Sequence, residues 1–203
     1  MSEPHNPRDR MVFSAAQLIR RHGVAGTGLR DVVAHAEAPR GSLQHYFPGG
    51  KDQLMAEAAQ WGGRYAAKRV ARLVAALPEP TPGGLFAAMA AQWRDDLREN
   101  SFDAGCPVAA SVADCAADNP TVRRGASDAF AGWTAAVADA LRAMRVPYRR
   151  AEALATLMIS ALEGAILMAR AERDLRPLDV VVQELQPLLD SAAARSAGHD
   201  HRP

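Results

Sequence analysis

The stretch LRDVVAHAEAPRGSLQHYFPGGK, residues 29–51, predicts two short helices joined by a tight turn and followed by a loop. In the first helix, Leu29–Ala36, four apolar residues stand at the i, i+3, i+4 and i+7 spacing of one buried face. The second helix, Pro39–Tyr46, opens with proline. Proline suits the first turn of a helix because a backbone N–H at that position would have no partner within the helix. Leu43 and Phe47 lie four residues apart and are expected to face inward.

The outward side of the second helix carries no acidic residue, although surface helices are usually rich in Glu and Lys. The residues left to face outward are Arg40, Gly41, Ser42, Gln44, His45 and Tyr46. Their guanidinium, amide, hydroxyl and imidazole groups are the donors and acceptors that read base edges and phosphates. This helix is therefore predicted to contact nucleic acid.

The rest of the chain is rich in Ala, Leu and Arg with few β-branched runs, which predicts an all-α protein. A first helix, Arg8–His22, ends at Gly23 and serves as scaffold for the two helices above. The segment Pro78–Gly84 is expected to be a linker. The later helices are predicted at Lys51–Leu77, Leu85–Glu99, Pro107–Ala117, Pro120–Met144, Arg149–Ala171 and Leu178–Ala194.

The charge distribution agrees weakly with a nucleic-acid surface near the N-terminus. The 203-residue chain has a net charge of +1, and residues 1–51 hold +3 of it, which leaves −2 for the remainder. By charge alone, an ordinary uneven surface explains this equally well.

No catalytic residue, cofactor or metal site is predicted. The sequence has no nucleophile motif, phosphate-binding loop or metal-ligand spacing, and its two cysteines, Cys106 and Cys115, lie nine apart. The N-terminus lacks the apolar core of a secretory signal, and the apolar run Ala153–Ala169 is too short and too polar for a clean membrane span. A buried helix in a cytoplasmic protein is therefore expected.

The last two helices suggest a subunit interface, because both carry more apolar surface than one domain of this size can bury. The candidate interface residues are Leu154, Leu157, Ala161, Ala165, Val181, Leu185 and Leu188. The alternative is that both helices belong to the core of a single chain.

The N-terminal quarter resembles the TetR/AcrR family of bacterial transcriptional regulators. The matching segments are Ala15–Val24, Thr27–Val33 and Pro39–Phe47, followed by Lys51. The extra loop residue in FPGGK and the segments Gly105–Ala110 and Ser160–Leu178 resemble the lincomycin-resistance (LmrA/YxaF-like) repressor subgroup. The resemblance implies a three-helix helix-turn-helix DNA-binding domain over residues 1–51 and a larger effector-binding and dimerisation domain over residues 52–203, about nine helices in all.

Helix-turn-helix geometry and the resemblance together assign the DNA contacts. Arg40 is expected to pair with guanine and Gln44 with adenine, while Gly41 permits close backbone approach. Ser42 is expected to reach a base or a phosphate, and the expected phosphate or sugar contacts are Thr27, Arg30, His45, Tyr46 and Lys51. Gly28 replaces the usual helix-capping Ser or Thr, for which Thr27 is an imperfect substitute, and Glu37 replaces the usual turn glycine.

The resemblance further implies a homodimer that binds a nearly palindromic double-stranded DNA operator and is released by a small apolar or aromatic effector. The candidate pocket residues are Met89, Trp93, Cys106, Phe130, Trp133, Met158, Leu162, Glu163 and Met168, although residues at this helical spacing are more often plain core. Glu163 either bonds the effector, pairs with an arginine such as Arg170 or one across the dimer, or lies at a rim.

Three other function classes stay open from sequence alone. The first is a thiol-based redox regulator acting through Cys106, which precedes Pro107 at a predicted helix start. The second is a helical interaction module that has lost DNA binding through Glu37 and Gly28. The third is a helical enzyme, which no motif supports.

Overall fold

The computed structural model describes residues 6–39, 41–115 and 117–197, with side chains described up to residue 193. In this part of the chain all regular structure is helical, which confirms the predicted all-α fold. The nine described helices are α1 Pro7–His22, α2 Leu29–His35, α3 Ser42–Tyr46, α4 Gly50–Ala76, α5 Pro82–Glu99, α6 Pro107–Cys115, α7 Pro120–Ala143, α8 Tyr148–Glu172 and α9 Arg176–Ala197.

Two helix starts differ from the prediction by three residues, each for a local reason. Helix α3 begins at Ser42 and not at Pro39, because the backbone N–H and the hydroxyl of Ser42 both donate to the Pro39 carbonyl, at 3.0 and 2.6 Å, in a turn. Helix α5 begins at Pro82, inside the expected linker, because the Thr81 hydroxyl caps it by accepting from Gly84 N–H at 3.0 Å.

The chain forms two compact units. The first consists of Met1–Tyr65 and Gly105–Ala131, and the second of Ala66–Ala104 and Gly132–Pro203. The first unit is larger than the expected DNA-binding segment, because it adds the start of α4, all of α6 and the first half of α7. The division at residue 51 into DNA-binding and effector-binding parts is a functional one and stays a prediction.

The core of the first unit surrounds the helix-turn-helix segment. Its fully buried side chains include Met11, Ile19, Val32, Phe47 and Leu54. The paired glycines of α4 mark close packing and not a break in the helix. A methyl group on Gly62 would lie 2.8 Å from Pro107 Cγ, and one on Gly63 would lie 2.6 Å from Ala129 Cα.

The second unit is built around α8, which packs with α5 and α9. Helix α8 is long and apolar enough to cross a membrane by length and composition alone, with a mean hydropathy of 1.6, but the core helix of a water-soluble protein passes the same test. Its buried side chains include Leu154, Met158, Leu162 and Ile166, as expected for a core helix. The start of α5 is tied to α9 where Gly83 N–H donates to the Asp190 carboxylate at 2.7 Å.

Candidate nucleic-acid interface

The turn between α2 and α3 ends α2 in a Schellman motif. The N–H of Ala38 donates to the Val33 carbonyl and the N–H of Glu37 to the Ala34 carbonyl, both at 3.1 Å. Glu37 occupies the left-handed position of this motif, with a φ of 48°. The replacement of the usual turn glycine by Glu37 therefore has a steric cost, since glycine is the residue that adopts this conformation without one.

Two of the side chains predicted to contact DNA project into solvent from α3. Gln44 and His45 are exposed with Gly41, while Ser42 and Tyr46 are half-buried. The rings of His45 and Tyr46 meet edge to face, with centroids 5.0 Å apart. Arg40 lies outside the described residues, so its predicted contact with guanine stays a prediction on sequence grounds.

The start of α2 differs from expectation at Thr27. Its side chain is only 1% exposed, and its hydroxyl donates to the Gly23 carbonyl at 2.6 Å. Thr27 therefore neither caps α2 nor offers its hydroxyl to a phosphate. The N-cap of α2 is Gly28, without a side-chain hydrogen bond. Arg30, in the first turn of α2, is exposed, and its contact with a phosphate stays a prediction.

A polar network that sequence reasoning missed holds the loop after α3 against α4 and α1. The Gly49 N–H donates to Gln53 Oε1 at 2.9 Å, and Gln53 Nε2 donates to Glu57 Oε1 at 3.0 Å. Arg8 Nη2 donates to the other Glu57 oxygen at 2.6 Å. Only the i, i+4 spacing of Gln53 and Glu57 signals this network in the sequence. It fixes the backbone that leads into Lys51, which is half-buried at the start of α4.

The predicted subunit interface is only partly on the surface of the single chain. Leu157 and Leu188 are exposed, and Ala161, Val181 and Leu185 are partly exposed. Leu154 and Ala165 were assigned wrongly, because the structure buries both inside the second unit. Helical spacing identifies the apolar stripes but not which stripe faces its own chain. On α8 and α9, Leu167 and Val180 are exposed apolar residues that the predicted interface did not include.

The predicted pocket residues are divided between the two units. Cys106 and Phe130 belong to the first unit, and the other seven belong to the second. In the second unit Met89, Trp133, Met158, Leu162 and Glu163 are buried, and Trp93 is half-buried. The assignment of Met168 to the pocket is wrong, because its side chain is 55% exposed on the outer face of α8, next to Leu167 in sequence.

Glu163 is 8% exposed on α8, so it does not lie at a rim. The arginine suggested as its partner, Arg170, donates from Nε to the Phe102 carbonyl at 3.3 Å and from Nη2 to the Asp103 carbonyl at 3.2 Å. These two bonds hold the loop before α6. Whether Glu163 serves an effector stays a prediction.

The two cysteines differ in their surroundings. Cys106 is buried directly before the first residue of α6, and its redox role stays a prediction without specific support. Burial raises the pKa of the Cys115 thiol, and the neighbouring Asp114 carboxylate raises it further. Within the described residues, no group of three or more His, Cys, Asp or Glu side chains is arranged to hold a metal ion.

Comparison with known proteins matches both halves of the chain to regulators. Residues 14–58 match bacterial regulatory proteins of the tetR family, and residues 82–184 match the LmrA/YxaF-like C-terminal domain of transcriptional regulators. A protein of Mycobacterium tuberculosis (strain CDC 1551 / Oshkosh), described as an uncharacterized HTH-type transcriptional regulator, is 42% identical over 191 residues, which cover 90% of this chain and 94% of that protein.

The HTH-type transcriptional regulator LmrA of Bacillus subtilis (strain 168) is 27% identical over 175 residues, which cover 84% of this chain and 90% of that protein. Among solved structures, regulatory protein TetR from Rhodobacter sphaeroides superimposes with a TM-score of 0.76 at 18% identity. The superposition covers 89% of this chain and 97% of that one. At this identity the likeness shows the fold.

Proposed function

Because the chain belongs to the TetR family of bacterial transcriptional regulators and carries an LmrA/YxaF-like C-terminal domain, we propose that it is a repressor released from its operator by a small apolar or aromatic effector. The families and relatives it matches are regulators, so the chain is not an enzyme, as its sequence predicts. We place the protein in the cytoplasm, where its DNA lies.

The outward side of α3 is the observation that supports DNA binding. Gln44 and His45 project from a helix that keeps Leu43 partly buried and is followed by the fully buried Phe47. An α-helix held in this way enters the major groove with its polar side toward the bases. In this proposal Gln44 and Arg40 read bases. Gly41, Ser42, His45, Tyr46, Arg30 and Lys51 approach the backbone.

The proposed partner in DNA binding is a second copy of the chain. Leu157, Leu167 and Met168 on α8, with Val180 and Leu188 on α9, are large apolar side chains exposed on the single chain. A two-fold axis through such a face buries it in an isologous interface. The resulting pair of α3 helices would read two half-sites of a nearly palindromic operator.

The proposed effector site lies in the second unit. The buried side chains of Met89, Trp133, Met158 and Leu162 supply adaptable apolar walls, and Glu163 supplies an acidic group among them. An effector releases the operator only to the extent that it binds the DNA-free arrangement better than the DNA-bound one.

The test is selection of DNA from a random-sequence pool, followed by fluorescence anisotropy with the selected DNA over a range of salt concentrations. The wild type is expected to enrich one nearly palindromic sequence. Lys51→Ala is expected to lower the slope of log affinity against log salt by about one, because one phosphate contact is lost. Lys68 is an exposed lysine of the same helix, so Lys68→Ala serves as the control and is expected to leave that slope unchanged. Enrichment of no sequence would contradict the proposed function.

A further inference from the structure

A side chain outside the reading segment holds the turn of the helix-turn-helix. Arg10 of α1 donates from Nε to the Ala36 carbonyl at 3.0 Å and from Nη2 to the Glu37 carbonyl at 3.3 Å. These carbonyls belong to the C-cap of α2 and to the left-handed residue of the turn. One guanidinium therefore bridges the two residues at which the chain leaves α2.

With glutamate at the left-handed position, this turn is less stable than the same turn with glycine. A β-carbon in the left-handed region crowds the following carbonyl, so Glu37 disfavours the conformation that the Schellman motif requires. A guanidinium at a helix C-terminus is favoured by the helix dipole, and its charge-assisted bonds are stronger than neutral ones. Arg10 thus stabilises a conformation that glycine would adopt unaided.

Helix α3 depends on this turn for its direction. It has five residues, none of them fully buried, and its N-cap, Gly41, provides no side-chain bond. Packing alone therefore fixes α3 weakly from its N-terminal side, where its base-reading residues are expected. Among the described residues, two polar contacts from α1 hold the end of α2: the carbonyl clamp of Arg10 and the 2.9 Å hydrogen bond between Ser14 Oγ and His35 Nδ1, and the Arg10 clamp alone reaches the left-handed residue of the turn.

We propose that Arg10 is a positioning residue for DNA reading, which locks the Glu37 turn and so fixes the angle of α3 to the DNA. The inference rests on the proposed DNA-binding function. It predicts that Arg10 acts through the turn and not as a phosphate contact. A change in Arg10 should therefore be compensated by a change in Glu37.

The experiment compares Arg10→Ala, Arg10→Lys and Glu37→Gly with the double variant on DNA selected by the wild type. Arg64→Ala is the matched control, because Arg64 is an exposed arginine on α4 away from the turn. Arg10→Ala is expected to weaken binding about tenfold, through loss of two charge-assisted bonds. Arg10→Lys is expected to be intermediate, since an ammonium lacks the fork of donors. Arg64→Ala should stay within about twofold of wild type.

Rescue separates positioning from direct contact. Adding Glu37→Gly to Arg10→Ala is expected to restore affinity to within about threefold of wild type, because glycine needs no clamp. The salt slope of Arg10→Ala should equal that of wild type. A salt slope lower by about one with no rescue would make Arg10 a phosphate contact and overturn the inference. Equal affinities of Arg10→Ala and Arg64→Ala would overturn it too.

Amide hydrogen exchange on the DNA-free protein tests the clamp independently of DNA. The amides of Glu37 and Ala38, which donate within the Schellman motif, should exchange faster in Arg10→Ala than in Arg64→Ala. Amides in the middle of α8 should be unchanged, which excludes general unfolding. Failure of the wild type to select any DNA would count against the proposed function, while unchanged exchange at Glu37 and Ala38 would count against the clamp.

Discussion

At Glu37 a glutamate occupies the left-handed region, with a φ of 48°, where a glycine meets no steric penalty. Relief of that strain outweighs the greater chain entropy that glycine has when unfolded. We therefore expect Glu37→Gly to raise the free energy of unfolding by up to about 1 kcal/mol.

Urea denaturation measures this change, with Ala135→Gly as the opposite case. Ala135 is exposed in the middle of α7, where glycine should lower the free energy of unfolding by about 1 kcal/mol. A loss of stability for Glu37→Gly as large as that for Ala135→Gly would show that the turn is not strained.

Cys115 should be a slowly reacting thiol. Burial and the Asp114 carboxylate disfavour the thiolate and raise its pKa. Because the pKa of the Cys115 thiol is higher in the folded state, the protonated thiol contributes to the free energy of unfolding. This contribution is fully present below the pKa of the unfolded state and is lost as pH rises through the pKa of the folded state. In a Cys106→Ser background, the midpoint of iodoacetamide alkylation against pH should lie higher for the native protein than in urea. A lower native midpoint would contradict this environment.

Close packing of α4 against α7 depends on glycine. A methyl group at Gly63 would lie 2.6 Å from both Cα and Cβ of Ala129. We expect Gly63→Ala to lower the free energy of unfolding by about 1–3 kcal/mol through overpacking, although alanine is the better helix former. Gly132 on α7 has open space around it, so Gly132→Ala should raise that free energy by about 0.5–1 kcal/mol. Equal effects in urea denaturation would refute the close approach.

The sequence predicts which segments are helical more reliably than where they begin. Apolar spacing identified α1, α2 and the later helices, and Gly23 ended α1 as expected, with a φ of 69°. Proline at position 39 suits a turn as well as a first helical turn, so the start of α3 depended on two hydrogen bonds of Ser42 that no spacing rule contains. The burial of Thr27 likewise depends on a bond to Gly23.

The outer face of α8 and α9 should hold the dimer together. Leu167 is 56% exposed on the single chain, and a charge there would be buried without a partner in the proposed dimer. We expect Leu167→Glu to make the protein predominantly monomeric at micromolar concentration, as measured by analytical ultracentrifugation. Val112→Glu, which adds the same charge at another exposed apolar site, should leave the dimer intact. A dimeric Leu167→Glu protein would remove this face from the interface.

At the scale of the whole chain, sequence periodicity indicated surplus apolar surface on the last two helices but could not orient it. Leu154 and Leu157 are three residues apart on α8, yet the first is buried and the second exposed. Spacing defines a stripe, whereas the neighbours that cover it are set by tertiary packing. The same limit explains why Met168 was assigned to a pocket and lies on the outer face.

The sequence preference of Gln44→Ala shows whether α3 reads bases. Wild-type protein and Gln44→Ala would be titrated by fluorescence anisotropy against the selected operator and its single-base variants, with Arg30→Ala as a backbone-contact control. Loss of discrimination at one base pair in each half-site, with other positions unchanged, is predicted for Gln44→Ala and not for Arg30→Ala. Equal loss of affinity for all sequences, including random DNA, would contradict base reading by α3.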